Sequence, residues 1–218
     1  MIKVAVAGAA GRMGATVCAA VEGADDMELV GRADPALGTS VADVLEAADV
    51  LVDFTLPDQA VANAALAAAA GVHVVIGTSG YSEEDLRASV AGAPGNVFVA
   101  ANFAIGAVLM MRFAAEASKI MASAEIIEYH HAGKVDKPSG TAARTAALME
   151  GDPPIHSVRL PGLVADQDVV LGDVAQTLTI RHVTTDRTSF MPGVLLAIRH
   201  VAQLPESPVF GLERLLWP

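Results

Sequence analysis

Two hydrophobic rhythms alternate over the first hundred residues of this 218-residue chain. Short runs that are apolar almost throughout, at 2–7, 28–33, 50–54, 72–76 and 97–100, predict buried strands. Between them lie helical stretches: 12–22, a segment 58–70 opened by Pro57, and one that Ser82 caps ahead of Glu83, Glu84 and Asp85. Proline suits a first helical turn because its missing N–H would have no partner there. Acids in that turn complement the helix dipole. Strands buried on both faces and alternating with helices predict a parallel sheet covered on each side, with right-handed crossovers.

The rhythm changes after Asn102. A long apolar helix at 105–121, a strand at 124–129 and a helix at 139–150 precede strand-like runs at 156–160, 168–171 and 175–183. These last runs follow one another without helices, which predicts antiparallel pairing. A final helix at 189–203 is assigned back to the first module. The expected fold class is α/β. A Rossmann-like doubly wound parallel sheet spans 1–103 with 186–218, and a second α+β domain spans 104–185. Hinges are expected near Asn102 and Asp186, with the two modules sharing a cleft.

Composition adds exclusions. Hydrophobic residues make up 53% of the chain and charged ones 18%, which excludes a disordered polymer. The 42 alanines against nine aromatic residues call for a core of small aliphatic side chains. The formal charge is −11, and residues 22–58 hold ten acids against the single base Arg32. Nucleic acid and anionic membranes are therefore poor partners. Cys18 is the lone cysteine, so no internal disulfide or cysteine-based metal site can form, and a reducing, cytoplasmic setting is expected. The apolar run at the start is too short for a signal peptide. The Ala-rich stretch 59–76 contains Gln59, Asn63, Gly71 and His73, and divides at Gly71 into helix and strand rather than spanning a membrane.

Candidate chemistry begins at Gly8-Ala9-Ala10-Gly11-Arg12-Met13-Gly14, between the first strand and the first helix. A dinucleotide pyrophosphate needs a turn without side-chain bulk and a helix N-terminus aimed at it. The pattern alone also suits a tight turn with no ligand. Asp34, 20 residues after Gly14 at the end of the second strand, makes it more specific, because its carboxylate can accept hydrogen bonds from ribose hydroxyls. That carboxylate repels a 2′-phosphate, and only Arg12 and Arg32 lie close enough in sequence to offset it. NADH is expected to serve, with NADPH left open. Gly77-Thr78-Ser79-Gly80 and Ala101-Asn102-Phe103 follow the fourth and fifth strands, where open α/β sheets bind ligands.

The densest chemistry runs from Glu128 to Thr141. Residues 130–144 carry Lys134, Lys137 and Arg144 against the one acid Asp136, a local reversal of charge that would attract an anion. His130 can move a proton near neutral pH, and Lys134 supplies a point charge. Ser139-Gly140-Thr141 opens a helix whose free N–H groups suit a carboxylate, although Ser139 also reads as a plain helix cap. His130 and His131 would face opposite ways on a regular strand, and reach one pocket only if the strand ends there. Two histidines with no third ligand in suitable spacing do not make a zinc site.

With these residues in view, the chain resembles the 4-hydroxy-tetrahydrodipicolinate reductase (dihydrodipicolinate reductase) family of bacterial diaminopimelate and lysine synthesis. The resemblance covers nearly the whole chain. It rests on Gly8–Gly14, Asp53-Phe54-Thr55, Gly77–Gly80, Ala101–Gly106, Glu128–Thr141, Val158–Gly162 and Asp186–Phe190. The His-His-x-x-Lys…Pro-Ser-Gly-Thr string is specific to that family, whereas the glycine turn is not. The resemblance implies an NAD(P)H-dependent oxidoreductase acting on a cyclic dicarboxylate. Loss of water would give a conjugated ring that accepts hydride, after which a proton must be supplied. It implies His130 as acid/base residue and Lys134 as proton donor. His131, Lys134, Ser139, Gly140 and Thr141 would hold the substrate. Gly8, Gly11, Arg12, Met13, Gly14, Asp34, Phe54, Gly77, Thr78, Ser79, Ala101, Asn102 and Phe103 would hold the cofactor. A homotetramer joined through the second domain is also implied. The chain departs from the family pattern at Gly133, where a third His is usual, at Lys137, where a small residue is usual, and in a short segment between Leu148 and His156. The competing readings are another nicotinamide-dependent amino or imino acid dehydrogenase on this scaffold, and a non-catalytic nucleotide sensor.

Overall fold

The computed structural model describes residues 1–217. Pro218, the last residue of the range expected for the first domain, lies outside the described residues. In chain order the first elements are β1 (Ile2–Ala7), α1 (Arg12–Glu22), β2 (Met27–Ala33), α2 (Ala42–Leu45), β3 (Val50–Asp53), α3 (Pro57–Ala69), β4 (His73–Ile76), α4 (Glu83–Ser89) and β5 (Val97–Val99). There follow α5 (Ile105–Ser118), β6 (Ser123–His130), α6 (Gly140–Leu148), β7 (Ile155–Arg159), β8 (Ala165–Asp173) and β9 (Gln176–His182). The chain closes with α7 (Met191–His200), β10 (Val209–Phe210) and α8 (Glu213–Leu216). The chain divides into two compact units, Met1–Phe103 with the residues from Phe190 onward, and Ala104–Ser189. The return to the first unit thus falls at Phe190, four residues beyond Asp186.

The first unit holds a parallel six-stranded sheet in the order β10-β5-β4-β3-β1-β2. Its core uses the small side chains that the composition demands. Ala60, Ala64, Ala67 and Ala68 recur at helical spacing on α3 and are fully buried. They join Ala5, Ala7, Leu51, Val74 and Ile76 in one cluster. Methyl-sized side chains let this helix lie close against the strands, at a burial gain of roughly 25 cal/mol per Å². The Ser82 hydroxyl caps α4 by accepting the Asp85 N–H at 3.2 Å. Strand β10 has no counterpart among the predicted elements. Two residues are too few to show a hydrophobic period, and the strand exists because Val209 and Phe210 pair with Phe98 and Val99. The predicted helix 189–203 is regular only over Met191–His200, with 3-10 turns on either side.

The second unit holds a four-stranded mixed sheet in the order β7-β6-β8-β9. Here the expectation of antiparallel pairing is corrected in part. Strand β8 runs antiparallel to β6 and to β9, but β7 runs parallel to β6, with α6 as the crossover between them. Strand β8 also starts three residues before the predicted 168. Asp166 and Gln167 lie outside the predicted strand yet are buried within the observed one, as is Asp168. Each has a partner from another element: Asp166 accepts the Thr184 N–H, Gln167 donates to the Thr145 hydroxyl, and Asp168 accepts from the Tyr129 hydroxyl. Polar groups tolerate burial on those terms.

Candidate active site

In the first unit one row of backbone hydrogen bonds aligns the ends of the parallel strands. Gly8 N donates to Ala33 O at 2.9 Å, Phe54 N to Ala7 O at 3.2 Å, Gly77 N to Asp53 O at 2.9 Å, and Ala100 N to Ile76 O at 3.1 Å. The glycine turn, Asp34, Phe54, Gly77 and the Ala101–Phe103 segment therefore begin along one edge of the sheet. The chain leaves β1 on one side to form β2 and returns on the other to form β3, so the topological switch point falls at Gly8 and Phe54.

That turn has to be glycine. Gly8 adopts φ +75°, and a β-carbon on it would lie 2.7 Å from Phe54 O. A β-carbon on Gly14 would lie 2.0 Å from Gly8 O, so helix α1 can begin only because its first turn has no bulk there. Gly11 precedes α1 without a side-chain cap. The amides of Arg12 and Met13 consequently have no acceptor within the helix and form the positive end of its dipole. Arg12 is exposed and Met13 half-buried.

Asp34 is tied to this turn directly. Its carboxylate accepts the Ala10 N–H at 3.0 Å and the Ala36 N–H at 2.9 Å, which places an anionic group beside the turn. Arg32, one of the two cations available to offset it, is paired with Glu22 at 2.7 Å.

The flanking loops are organised by a residue to which the sequence pattern assigned no role. Asp53 ends β3 and is fully buried. It accepts from Thr55 N (2.9 Å), the Thr55 hydroxyl (2.7 Å), Asn63 Nδ2 (2.8 Å) and the Thr78 hydroxyl (3.2 Å). One carboxylate thus joins the loop after β3, helix α3 and the loop after β4. Thr78, expected to hold cofactor, is buried, and its hydroxyl also lies 3.1 Å from Thr55 O, so its backbone is what remains for a ligand. Ser79 is exposed. The Phe54 ring covers Gly77 and lies 6.1 Å from the Phe103 ring. Phe103 is itself buried, so it belongs to the core, while Ala101 is exposed and Asn102 half-buried.

In the second unit β6 ends at His130, and His131 lies exposed just beyond the strand. His130 Nδ1 is hydrogen-bonded to Glu128, two residues back on the same face. Glu128 is fully buried and receives a fork from Arg159, Nη2 to Oε1 at 2.7 Å and Nη1 to Oε2 at 2.8 Å. Burial alone would raise its pKa, but hydrogen bonds from Arg159, Ser157 and His130 outweigh burial and hold the pKa at about 2. His130 is held below its ordinary value. Burial is the main cause, with Lys134 and Arg159 acting the same way and Glu128 opposing. Lys134 Nζ lies 2.9 Å from Asp136 Oδ1, and this contact lowers the Asp136 value.

Ser139 is a helix cap, as one reading of it held. Its hydroxyl accepts the Ala142 N–H at 3.2 Å, while its own N–H donates to Glu128 Oε1 at 3.3 Å. Gly140 is exposed, with open space where a side chain would be, and Thr141 is half-buried. The structure therefore brings His130, Lys134 and the start of α6 together around the 131–138 loop, with Glu128 and Arg159 beneath. Glu128 and Asp53 shared one signal that sequence reading could have used: an acid at or near the end of an apolar strand needs buried partners. Among the described residues no three His, Cys, Asp or Glu side chains are grouped as a metal site, and no helix is long and apolar enough to cross a membrane.

Comparison with known proteins bears on this arrangement. Residues 2–103 match the family model for the dihydrodipicolinate reductase N-terminus, and residues 106–216 match that for its C-terminus. The chain belongs to the dihydrodipicolinate reductase family. It is thus an NAD(P)H-dependent oxidoreductase of that family. A 4-hydroxy-tetrahydrodipicolinate reductase from Thermobifida fusca is 46% identical over 247 aligned positions, and one from Mycolicibacterium vanbaalenii 43% identical over 245; each alignment covers 99% of both chains. These alignments are longer than the chain's 218 residues, so the relatives carry insertions relative to it. Among solved structures, a dipicolinate-bound dihydrodipicolinate reductase from Paenisporosarcina sp. TG-14 superposes with a TM-score of 0.84 at 35% identity, covering 98% of this chain and 99% of that one. A probable dehydrogenase from Thermotoga maritima, 12% identical with a TM-score of 0.65 and covering 98% and 92%, shares the fold.

Proposed function

We propose that this chain reduces 4-hydroxy-tetrahydrodipicolinate to tetrahydrodipicolinate, in the synthesis of diaminopimelate and lysine, with His130 and Lys134 as its catalytic residues. The observation that carries the assignment of roles is the grouping of His130, Lys134 and the Ser139-capped start of α6 around one short loop. A bound nicotinamide supplies the hydride. The protein's share is to hold a dicarboxylate, stabilise the electron density that enters its ring, and deliver a proton. Lys134 is the proton donor. Its present partner Asp136 is more than half exposed, so a substrate carboxylate can take that place at modest cost. His131, Gly140 and Thr141 offer the remaining contacts, with the α6 N-terminus facing a carboxylate. Ser139 adds its hydroxyl to that role while capping the helix.

Gly8, Gly11, Arg12, Met13 and Gly14 take the pyrophosphate, and Asp34 takes the adenine ribose. Phe54, Gly77, Thr78, Ser79, Ala101, Asn102 and Phe103 form the rest of the cofactor edge. The Asp34 carboxylate and the engagement of Arg32 with Glu22 favour NADH at least as strongly as NADPH. The second unit serves assembly as a homotetramer. The sheet face opposite α6 presents Ile127, Tyr129, Val158 and Val170, all half-buried apolar side chains. The test is NADH and NADPH oxidation followed at 340 nm, with the product of the preceding synthase supplied freshly. No rate above the enzyme-free control refutes the assignment.

A further inference from the structure

We propose that Glu128 and Arg159 form a positioning pair that commits His130 to the tautomer with hydrogen on Nδ1, leaving Nε2 as the nitrogen that exchanges protons. The proposal rests on the reductase reading of His130. It starts from the donor inventory. Arg159 has only donors, and an ionised Glu128 has only acceptors. The fork from Arg159 and the surrounding hydrogen bonds keep Glu128 ionised across the working pH range. A hydrogen bond between His130 Nδ1 and Glu128 Oε2 can then have only one sense, with Nδ1–H as donor.

The same pair anchors both ends of the loop between the catalytic residues and the substrate-binding turn. Arg159 Nη2 donates to Asp136 O at 2.7 Å, and Ser139 N–H donates to Glu128 Oε1 at 3.3 Å. The parallel register of β6 and β7 sets His130 opposite Arg159 and Glu128 opposite Ser157, so the arrangement is built into the sheet rather than into a mobile loop. The charged groups facing His130 are Glu128 on its own strand, Arg159 on β7 and Lys134 from the loop, the last paired with Asp136. A buried ion pair is a poor source of stability compared with apolar packing. What this one does is orient an imidazole, in the way second-layer carboxylates fix the ring of a ligating histidine.

The test reads the tautomer directly. Ring-nitrogen NMR of the ¹⁵N-histidine-labelled full-length enzyme, with His130→Gln to assign the signals, should show a protonated Nδ1 and an unprotonated Nε2 at neutral pH. In Glu128→Gln the amide oxygen belongs at the Oε1 position, where Arg159 Nη2 and Ser139 N–H both donate. The NH₂ then takes the Oε2 position, where the bond from Arg159 Nη1 is given up, and faces His130 Nδ1, which can accept from it only in the Nε2–H form. The expected consequence is a fall in kcat on the order of 10²-fold, with KM changed by less than about threefold. A purely structural role would reduce the folded fraction and leave the tautomer of the folded enzyme unchanged. A wild-type enzyme in the Nε2–H form overturns the proposal, and that spectrum decides even where Glu128→Gln does not fold. A folded Glu128→Gln enzyme with near-normal kcat overturns it too. An Nδ1–H spectrum from wild-type protein without reductase turnover defeats the reductase reading instead, so the two failures are separable.

Discussion

Replacing Arg159 by Met removes the cation from a carboxylate that has no solvent to turn to. Glu128 is fully buried, and Arg159 supplies two of its hydrogen bonds, at 2.7 and 2.8 Å. In the intact protein these and the neighbouring bonds hold the carboxyl at about 2, against an ordinary 4.5. At about 1.4 kcal/mol per tenfold, that difference corresponds to about 3 kcal/mol in favour of the folded state above pH 4.5, lost as pH falls toward 2. Breaking a buried pair from one side costs about 3–5 kcal/mol, because the remaining charge is left uncompensated. Arg159→Met should therefore lose about 3–5 kcal/mol near pH 7. Thermal unfolding at fixed protomer concentration should show a Tm lower by about 6–20 °C for a chain of this size. The sign of the pH dependence follows. With the cation gone, burial raises the Glu128 value above that of the unfolded chain. The penalty is then full at neutral pH and fades as the pH drops toward 4.5 and the carboxyl takes a proton. Adding Glu128→Gln to Arg159→Met should recover part of the loss, since the double variant buries no charge. A loss below about 1 kcal/mol, or one that stays constant from pH 7.5 to 5, would refute the reasoning.

Lys134→Ala should lower kcat by on the order of 10²-fold or more in the 340 nm assay, as expected for a positioned proton donor; near-normal turnover removes it from that role. Asp34→Ala should weaken NADH more than NADPH, measured as KM for each cofactor, and equal effects would contradict the ribose contact. Asp53→Ala strands the donors of Thr55, Asn63 and Thr78. It should destabilise the first unit by about 2–4 kcal/mol in urea unfolding, and a change within about 0.5 kcal/mol would show that these loops are held by other means.

Much of the molecule can be read from local pattern. Val4 to Ala7, Val50 to Val52 and Val74 to Ile76 are buried on both faces, and continuous apolar runs announce such strands. Ser82 and Ser139 announce the helix starts that they cap. The His130–Thr141 string, by residue type and spacing, and the glycine turn with Asp34 are the stretches on which the proposed chemistry and the proposed nucleotide edge rest. Pattern fails where burial is made tolerable from elsewhere. The 165–167 stretch reads as a loop because its polarity hides a strand, in which Asp166, Gln167 and Asp168 find partners at Thr184, on α6 and on β6. Strand β7 reads as antiparallel because nothing local tells which neighbour it will join.

The sequence by itself determined most of the strands and helices, that the core is built from small aliphatic side chains, and which residue types stand where acid–base chemistry is proposed. Those properties depend on residues within a turn or two of one another. Only the tertiary structure decided that Glu128 meets Arg159, 31 residues on, and that Asp53 gathers three segments at the end of β3. Hydrogen bonds and charge pairs act through space at about 3 Å, and no spacing along the chain encodes which distant partner will stand there.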